Sequence, residues 1–408
     1  MQPKMKLAPW LTLDEVQEFL GVRPQTIYAY VSRGLIASHP DPQNTRRSLY
    51  SAENIQNLKQ KKQQGRKRET LAVNTLFGTE PSIPTAISTF AKGHLYYRGK
   101  DVIAFSENAT LEETARLLWN AEITSGFSVP TRDYPSSPPE RSHAFIALAA
   151  ATASGHSTHG RTLKVLHAEA ATLVGHLAST FGALNQPEMS VHQRLALGWG
   201  MEKEVANILR RAMVLLADHE LTSSAFASRI AASNGASLPA CLLTGLATFT
   251  GPLHGDATQR VKALFDEVEH SNADRVVNRY LSSALPIPGF GHHLYPDGDP
   301  RAIALLAEFA PPQEIAKFIE KVITLTGLQP NIDVVLAALV ARYRLQGDAA
   351  FALFSIARSV GLLAHAMEQI NTGKVIRPRG RYIGPELEAS TETSFSDNAG
   401  RPCRFTRQ

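Results

Sequence analysis

Three short stretches hold most of the residues whose chemistry is worth following: Gly289-Phe290-Gly291-His292-His293-Leu294-Tyr295-Pro296-Asp297-Gly298-Asp299-Pro300-Arg301, Gly251-Pro252-Leu253-His254-Gly255-Asp256-Ala257, and Gln329-Pro330-Asn331-Ile332-Asp333. Glycine and proline at this density exclude a core helix or strand, so each is a shaped loop, and loops on a rigid scaffold often carry function. Taken singly, His254 or His292 reads as an ordinary hydrogen-bonded loop residue. Taken with Asp333, they form a set with a purpose. A carboxylate can remove a proton next to a carbonyl, one histidine can hydrogen-bond to the enolate oxygen, and a second can polarise an electrophilic carbonyl. That equipment joins two carbons without a bound cofactor. A carboxylate-bearing substrate would also need arginines, whose planar fork grips carboxylates in bidentate fashion. Arg358 stands out, since no other Asp, Glu, Lys or Arg lies between Asp348 and Glu368, in a helix pattern of Phe351, Phe354, Ile356, Val360 and Leu363. A buried arginine needs an anion, and an internal Asp or Glu would also serve.

The elements that must position these loops are helical. From Thr110 onward, Leu111, Ala115, Leu118 and Trp119 make one helix face, Ala144 to Thr152 is alanine-rich, and Leu195 to Leu216 and Ser223 to Ala232 read as long buried helices. Only Gly93 to Gly99 suggests a short hairpin. There is no βαβ alternation, glycine-rich phosphate fingerprint or regular repeat, so the body is expected to be mainly α. A chain of 408 residues, 43% hydrophobic and 19% charged, fits a soluble protein of two or three domains. We find no leader-like segment after Met1, and the longest uncharged run, Ala349 to Met367, is interrupted by Arg358 and His365. Cys241 and Cys403 give no disulfide framework, which points to the cytoplasm. His156 and His159 lack the partners a zinc site needs, so no metal is expected.

Charge is concentrated at the front. Residues 1–70 contain 12 Lys and Arg against 6 Asp and Glu, while the rest is nearly balanced at 30 against 31. A polyanionic partner is therefore expected for that segment only. Thr12 and Glu15 form a capping box ahead of Val16, Phe19 and Leu20, and Pro24 opens a second helix, Gln25 to Arg33, stopped by Gly34. Leu35 to Tyr50 reads as an extended excursion with a turn at Asp41 to Thr45, before a third helix near Ser51. From Pro9 to Gln64 this order resembles the winged helix-turn-helix modules of the MerR and excisionase type. The resemblance implies DNA binding, with Gln25, Thr26 and Tyr28 at base edges and Arg33, Arg46 and Arg47 on phosphates. A protein-docking role is the competing reading.

The body carries a second resemblance. Gly251-Pro252-Leu253-His254-Gly255, Gly289-Phe290-Gly291-His292, Asp299-Pro300-Arg301, Pro330-Asn331-Ile332-Asp333 and Arg377-Pro378-Arg379 stand in the order and approximate spacing of citrate synthases. So do Tyr97-Arg98-Gly99-Lys100-Asp101 and Ala217-Asp218-His219-Glu220, and the resemblance spans about Leu71 to Pro385. It implies a two-domain all-α homodimer that condenses acetyl-CoA with oxaloacetate and hydrolyses citryl-CoA, a tricarboxylic acid cycle step with acetyl-CoA as co-substrate and no other cofactor. Carried over by motif, Asp333 would take the methyl proton, His254 would stabilise the enol, and His292 would polarise the oxaloacetate carbonyl. His219, Arg301, Arg358 and Arg377 of the partner subunit would hold the carboxylates. The expected organisation is a helix-turn-helix module at 1–64, a linker at 65–72, a large domain at 73–257 and 351–385, a small closing domain at 258–350 and a loose tail at 386–408.

Two departures matter. Many relatives have a histidine where this chain has Leu216, and basic residues where it has Pro296 and His293. They keep two alternatives open: a 2-methylcitrate synthase using propionyl-CoA, and a DNA-binding regulator whose body senses a carboxylate or acyl-CoA.

Overall fold

The computed structural model describes residues 10–20, 22, 24–32, 36–41, 44–56, 83–122, 127, 138–251, 254–283, 285–378 and 384–385. They fall into two compact units divided after Pro84.

In the first unit, β1 (Trp10–Leu11) leads into α1 (Leu13–Leu20), where Thr12 and Glu15 form the expected reciprocal cap. The second helix, α2 (Pro24–Ser32), starts one residue earlier than expected, with Pro24 itself in the first turn. The extended excursion is a hairpin of β2 (Ser38–Asp41) and β3 (Asn44–Ser51), and β3 also pairs with β1 to give an antiparallel sheet in the order β1-β3-β2. The third helix, α3, is described over 52–56. Leu11, Val16, Ile27, Ile36, Tyr50, Ala52 and Ile55 close a small core of the unit's own. The expected linker and tail lie outside the described residues.

The second unit opens with β4 (Ser88–Ala91), β5 (His94–Tyr97) and β6 (Lys100–Asp101). Both of its turns have two central residues at positive φ, Lys92 and Gly93 at 51° and 80°, Arg98 and Gly99 at 44° and 81°. That is the primed turn whose twist matches a hairpin, and it explains the glycine in each pair.

Everything after is helical. α4 (Val102–Ser106), α5 (Leu111–Trp119), α6 (Arg141–Ser154), α7 (Leu163–Thr180), α8 (Val191–Gly198), α9 (Lys203–Leu216), α10 (Ser223–Ser233) and α11 (Leu238–Phe249) precede α12 (Ala257–His270), α13 (Ala273–Ser282), α14 (Pro300–Leu306), α15 (Gln313–Thr326), α16 (Ile332–Tyr343) and α17 (Ala349–Thr372). The axis is α17, which packs against α5, α7, α9, α10 and α11. Long and apolar enough to cross a membrane, it is a core helix here, with 94% of its most apolar window buried. Helices α12 to α16 pack chiefly on one another and meet the rest through α14 against α4 and α9, and α16 against α17.

One expectation needs correction. Leu195 to Leu216 is not one helix but the end of α8 and all of α9. Gly200 takes a φ of 69°, and a Cβ on Gly198 would lie 1.8 Å from the Gly182 carbonyl oxygen, so close packing and a left-handed turn break the helix although the apolar pattern runs through.

Candidate active site

Two of the three loops are stitched together. Phe290 and Pro330 form an isolated bridge, the Gly291 amide donates to the Gln329 carbonyl at 2.8 Å, and the Asn331 amide donates to the Gly289 carbonyl at 2.9 Å. Gly289, at φ 83°, has no room for a side chain, since a Cβ would meet methyl groups of Val334 at 2.5 Å and Val261 at 2.7 Å. The Asn331 side chain caps α16 by accepting the Asp333 amide, which fixes Asp333 in the first turn. Its carboxylate accepts the Thr258 hydroxyl from α12 at 2.6 Å. Burial raises the Asp333 pKa above the ordinary carboxylate value, while the Thr258 hydrogen bond and the charge of Arg301 act against it. Such a carboxylate is a stronger base once ionised.

Asp299 caps α14 and organises the other end of the loop. One of its oxygens, Oδ1, accepts the Arg301 amide and Nε, both at 3.0 Å; Oδ2 accepts Arg301 Nη2 at 2.8 Å and the Ile332 amide at 3.1 Å. A single buried carboxylate thus holds an arginine in bidentate fashion and ties the residue before Asp333 to the same loop. Burial opposes its ionisation, but the adjacent guanidinium more than offsets this and keeps its pKa below the usual value.

The histidines are neutral near pH 7. Burial, with Arg358 close by, lowers His254 to about 4; burial and Arg301 lower His292 to about 4; burial and both arginines push His219 well below its ordinary value. His292 Nδ1 accepts the Leu294 amide at 3.2 Å, so the ring proton sits on Nε2 and that nitrogen is a donor. The ring lies edge-on to His219 with centroids 5.6 Å apart, and His219 Nε2 meets the Tyr295 hydroxyl at 3.2 Å. His254 Nε2 meets the Ser224 hydroxyl at 2.7 Å, and its ring packs on Phe249 at 5.1 Å. A Cβ on Gly255 would fall 2.2 Å from that phenyl ring, so glycine is required beside His254.

Arg358 lies inside α17 and is 2% exposed. Its Nε donates to the Leu216 carbonyl at 2.9 Å, and its guanidinium carbon lies 5.0 Å from the centre of the Phe354 ring. Among the described residues it forms no ion pair with a carboxylate. Asp218, the nearest internal candidate by charge, is engaged elsewhere, with the Ser88 hydroxyl, the Glu220 amide at 3.1 Å and His365 at 3.3 Å.

Arg301 acts on His219, His292 and Asp333, and Arg358 acts on His219, His254 and Asp333, so these six side chains share one site. Arg377 does not join them in this chain. It is exposed in the segment 374–378 after α17, and among the described residues it has no hydrogen bond or ion pair. Sequence reasoning missed Thr258, Ser224, Tyr295 and Asp299 as partners. Tyr295 and Asp299 stood in the quoted loop, whereas nothing local marked Thr258 or Ser224. Pro296 and His293 are exposed, with the His293 ring stacked 4.9 Å from His292. In the first unit, Tyr28 and Arg47 are exposed, while Arg33 and the side chains of Gln25, Thr26 and Arg46 lie outside the described residues.

A buried carboxylate, three neutral histidines and two buried arginines invite comparison with known proteins. The sequence profile of the citrate synthase C-terminal domain matches residues 77–379. The chain belongs to the citrate synthase family. A helix-turn-helix domain profile matches residues 10–62. Citrate synthase 2 of Bacillus subtilis (strain 168) is 26% identical over 350 residues, covering 74% of this chain and 94% of that protein. The crystal structure of citrate synthase from Thermotoga maritima MSB8 superposes with a TM-score of 0.62 at 25% identity, over 76% of this chain and 95% of that one. The same fold appears in citrate synthase from the thermophilic archaeon Thermoplasma acidophilum, solved as a ternary complex with carboxymethyl coenzyme A and oxaloacetate. It shares 23% identity and a TM-score of 0.62, over 78% of this chain and 97% of that one. The expected mainly α body and N-terminal helix-turn-helix domain are both present.

Proposed function

We propose that this protein condenses acetyl-CoA with oxaloacetate and hydrolyses the resulting citryl-CoA. The observation that carries the reading is the pairing of a burial-raised carboxylate, Asp333, with two histidines that are neutral and able to donate. Asp333 takes a proton from the acyl methyl group. With Ser224 donating to Nε2 of His254, the ring proton sits on Nδ1 and hydrogen-bonds to the enol oxygen. His292 Nε2–H polarises the oxaloacetate carbonyl, and the enol carbon attacks it. Water then releases CoA from the thioester. His219, Arg301 and Arg358 hold the substrate carboxylates, and exposed Arg377 serves the site of a partner subunit in a homodimer. The layer of α12 to α16 acts as the smaller domain and closes over the substrate. The site chemistry needs no further cofactor.

Turnover is tested by following CoA release from acetyl-CoA and from propionyl-CoA in the presence of oxaloacetate. Acetyl-CoA should be the better donor; faster release from propionyl-CoA would reassign the protein to 2-methylcitrate synthesis, since one methylene changes only pocket shape. Asp333→Ala should lower kcat by about 10²–10⁴-fold. Equal turnover by that variant would remove Asp333 from its role, and no release with either donor would sink the enzyme reading.

The N-terminal unit adds a second function, DNA binding. It is supported by the helix-turn-helix match, the β2–β3 wing with exposed Arg47, and the basic excess of residues 1–70. DNA affinity of the whole protein should fall steeply with salt, as phosphate contacts require. Salt-independent or absent binding would leave a docking role instead.

A further inference from the structure

Asp256 and Asp348 both occupy N-cap positions, of α12 and α17, and neither side chain caps its own helix. Aspartate at an N-cap usually accepts the orphan amides of the first turn, so two that do not must be held elsewhere. Both turn to Arg141 at the start of α6. Asp348 Oδ1 accepts Arg141 Nε at 3.1 Å and Nη2 at 2.9 Å, and its Oδ2 accepts the Arg141 amide at 2.9 Å. Asp256 Oδ1 accepts the same Nη2 at 3.1 Å. The guanidinium lies 4.3 Å from the centre of the Phe351 ring.

The position of these two aspartates gives the contact its meaning. The chain enters the α12 to α16 layer just after Asp256 and leaves it just before α17, after Asp348, so one guanidinium holds both crossings. Asp256 also stands two residues after His254 and two before Thr258, whose hydroxyl holds Asp333. Phe351, under the guanidinium, meets Phe249 at 5.8 Å, and Phe249 is the ring on which His254 packs. Arg141 touches none of the groups assigned to substrate.

We propose that Arg141 is a positioning residue, a clasp across both chain crossings that sets the placement of His254 relative to Asp333. The inference rests on the reading of those two residues as the condensing pair. Loosening the clasp lets each crossing move and spoils the alignment of base and enol donor, while the oxaloacetate groups on His292 and Arg301 stay together through their own stitched loop.

The test uses the full-length protein and Arg141→Gln, Arg141→Lys, Asp256→Asn and Asp348→Asn. Without substrate, amide hydrogen exchange should rise in Arg141→Gln at both crossings, around 249–258 and 346–352, by about tenfold, the weight of a lost charge-assisted hydrogen bond. Asp256→Asn should raise it at the first crossing, and adding Asp256→Asn to Arg141→Gln should add nothing there. With substrates, Arg141→Gln should lose kcat about tenfold while KM for oxaloacetate changes less than threefold, and Arg141→Lys should recover part of the loss. Exchange that rises at one crossing only, or at neither, overturns the clasp. So does a KM for oxaloacetate that rises as much as kcat falls. If Arg141→Gln does not fold, the two aspartate variants decide the matter, since exchange unchanged at the first crossing in Asp256→Asn, or at the second in Asp348→Asn, overturns the clasp. Absence of turnover in the unaltered protein overturns the enzyme reading alone, and the exchange measurements still decide the clasp.

Discussion

Arg301 and Arg358 are both buried arginines in one site, yet their surroundings differ in kind. Arg301 is matched, held in two places by Asp299, and its pKa is raised above the ordinary arginine value because that attraction outweighs burial. Arg358 has a backbone carbonyl and an aromatic face, and burial lowers its pKa. The first arginine is part of the scaffold as much as of the site. The second has no carboxylate hydrogen-bonded to it among the described residues, with Asp218 the strongest opposite charge acting on it.

That contrast can be broken most severely at Arg301. Arg301→Gln leaves Asp299 buried without its partner, and removing one member of a buried pair costs about 3–5 kcal/mol. The expected result in chemical denaturation is a large fall in unfolding free energy, together with loss of activity; a stability within 1 kcal/mol of the unaltered protein, on the scale of about 0–1 kcal/mol for exposed pairs, would mean that the pair is not structural. Arg358→Gln should do the reverse. Its stability should nearly hold, because no carboxylate hydrogen-bonded to it is left without a partner, whereas kcat/KM for oxaloacetate should drop by about 2–4 kcal/mol, or some 30- to 1000-fold. Steady-state kinetics alongside calorimetry would separate the two arginines.

A smaller effect follows from the histidines between them. His254 and His292 titrate at about 4 in the folded protein against an ordinary value of 6.5, so below pH 6.5 the unfolded chain takes up protons that the folded one refuses. Stability is therefore complete above about 6.5 and is lost as pH falls toward about 4. The melting temperature should decline between pH 7 and 5, and His292→Gln should flatten that decline. A melting temperature constant over this interval would show that the rings are not buried neutral.

The parts of this architecture legible in the sequence share a physical signature. His254, His292, Arg301 and Asp333 stood among glycines and prolines that only shaped loops tolerate, and Arg358 was the single charge in an apolar helix. Capping chemistry at Thr12 and Glu15 marked a helix start that the structure keeps. Contacts made across long separations left no trace. Thr258 reaches Asp333 and Ser224 reaches His254 through nothing more distinctive than a hydroxyl. The break between α8 and α9 was hidden because apolar periodicity reports which face is buried, not whether the backbone carries on.

The apolar axis helix α17 also has a consequence for how the chain is made. Its partners, α5, α7, α9, α10 and α11, are all synthesised before it, the earliest more than two hundred residues upstream. On the ribosome the N-terminal unit, with its own core, can fold as soon as it emerges. The body must instead carry five helices with unfilled apolar faces until residues 349–372 arrive, a long-range closure that slows folding and exposes surface to chaperones.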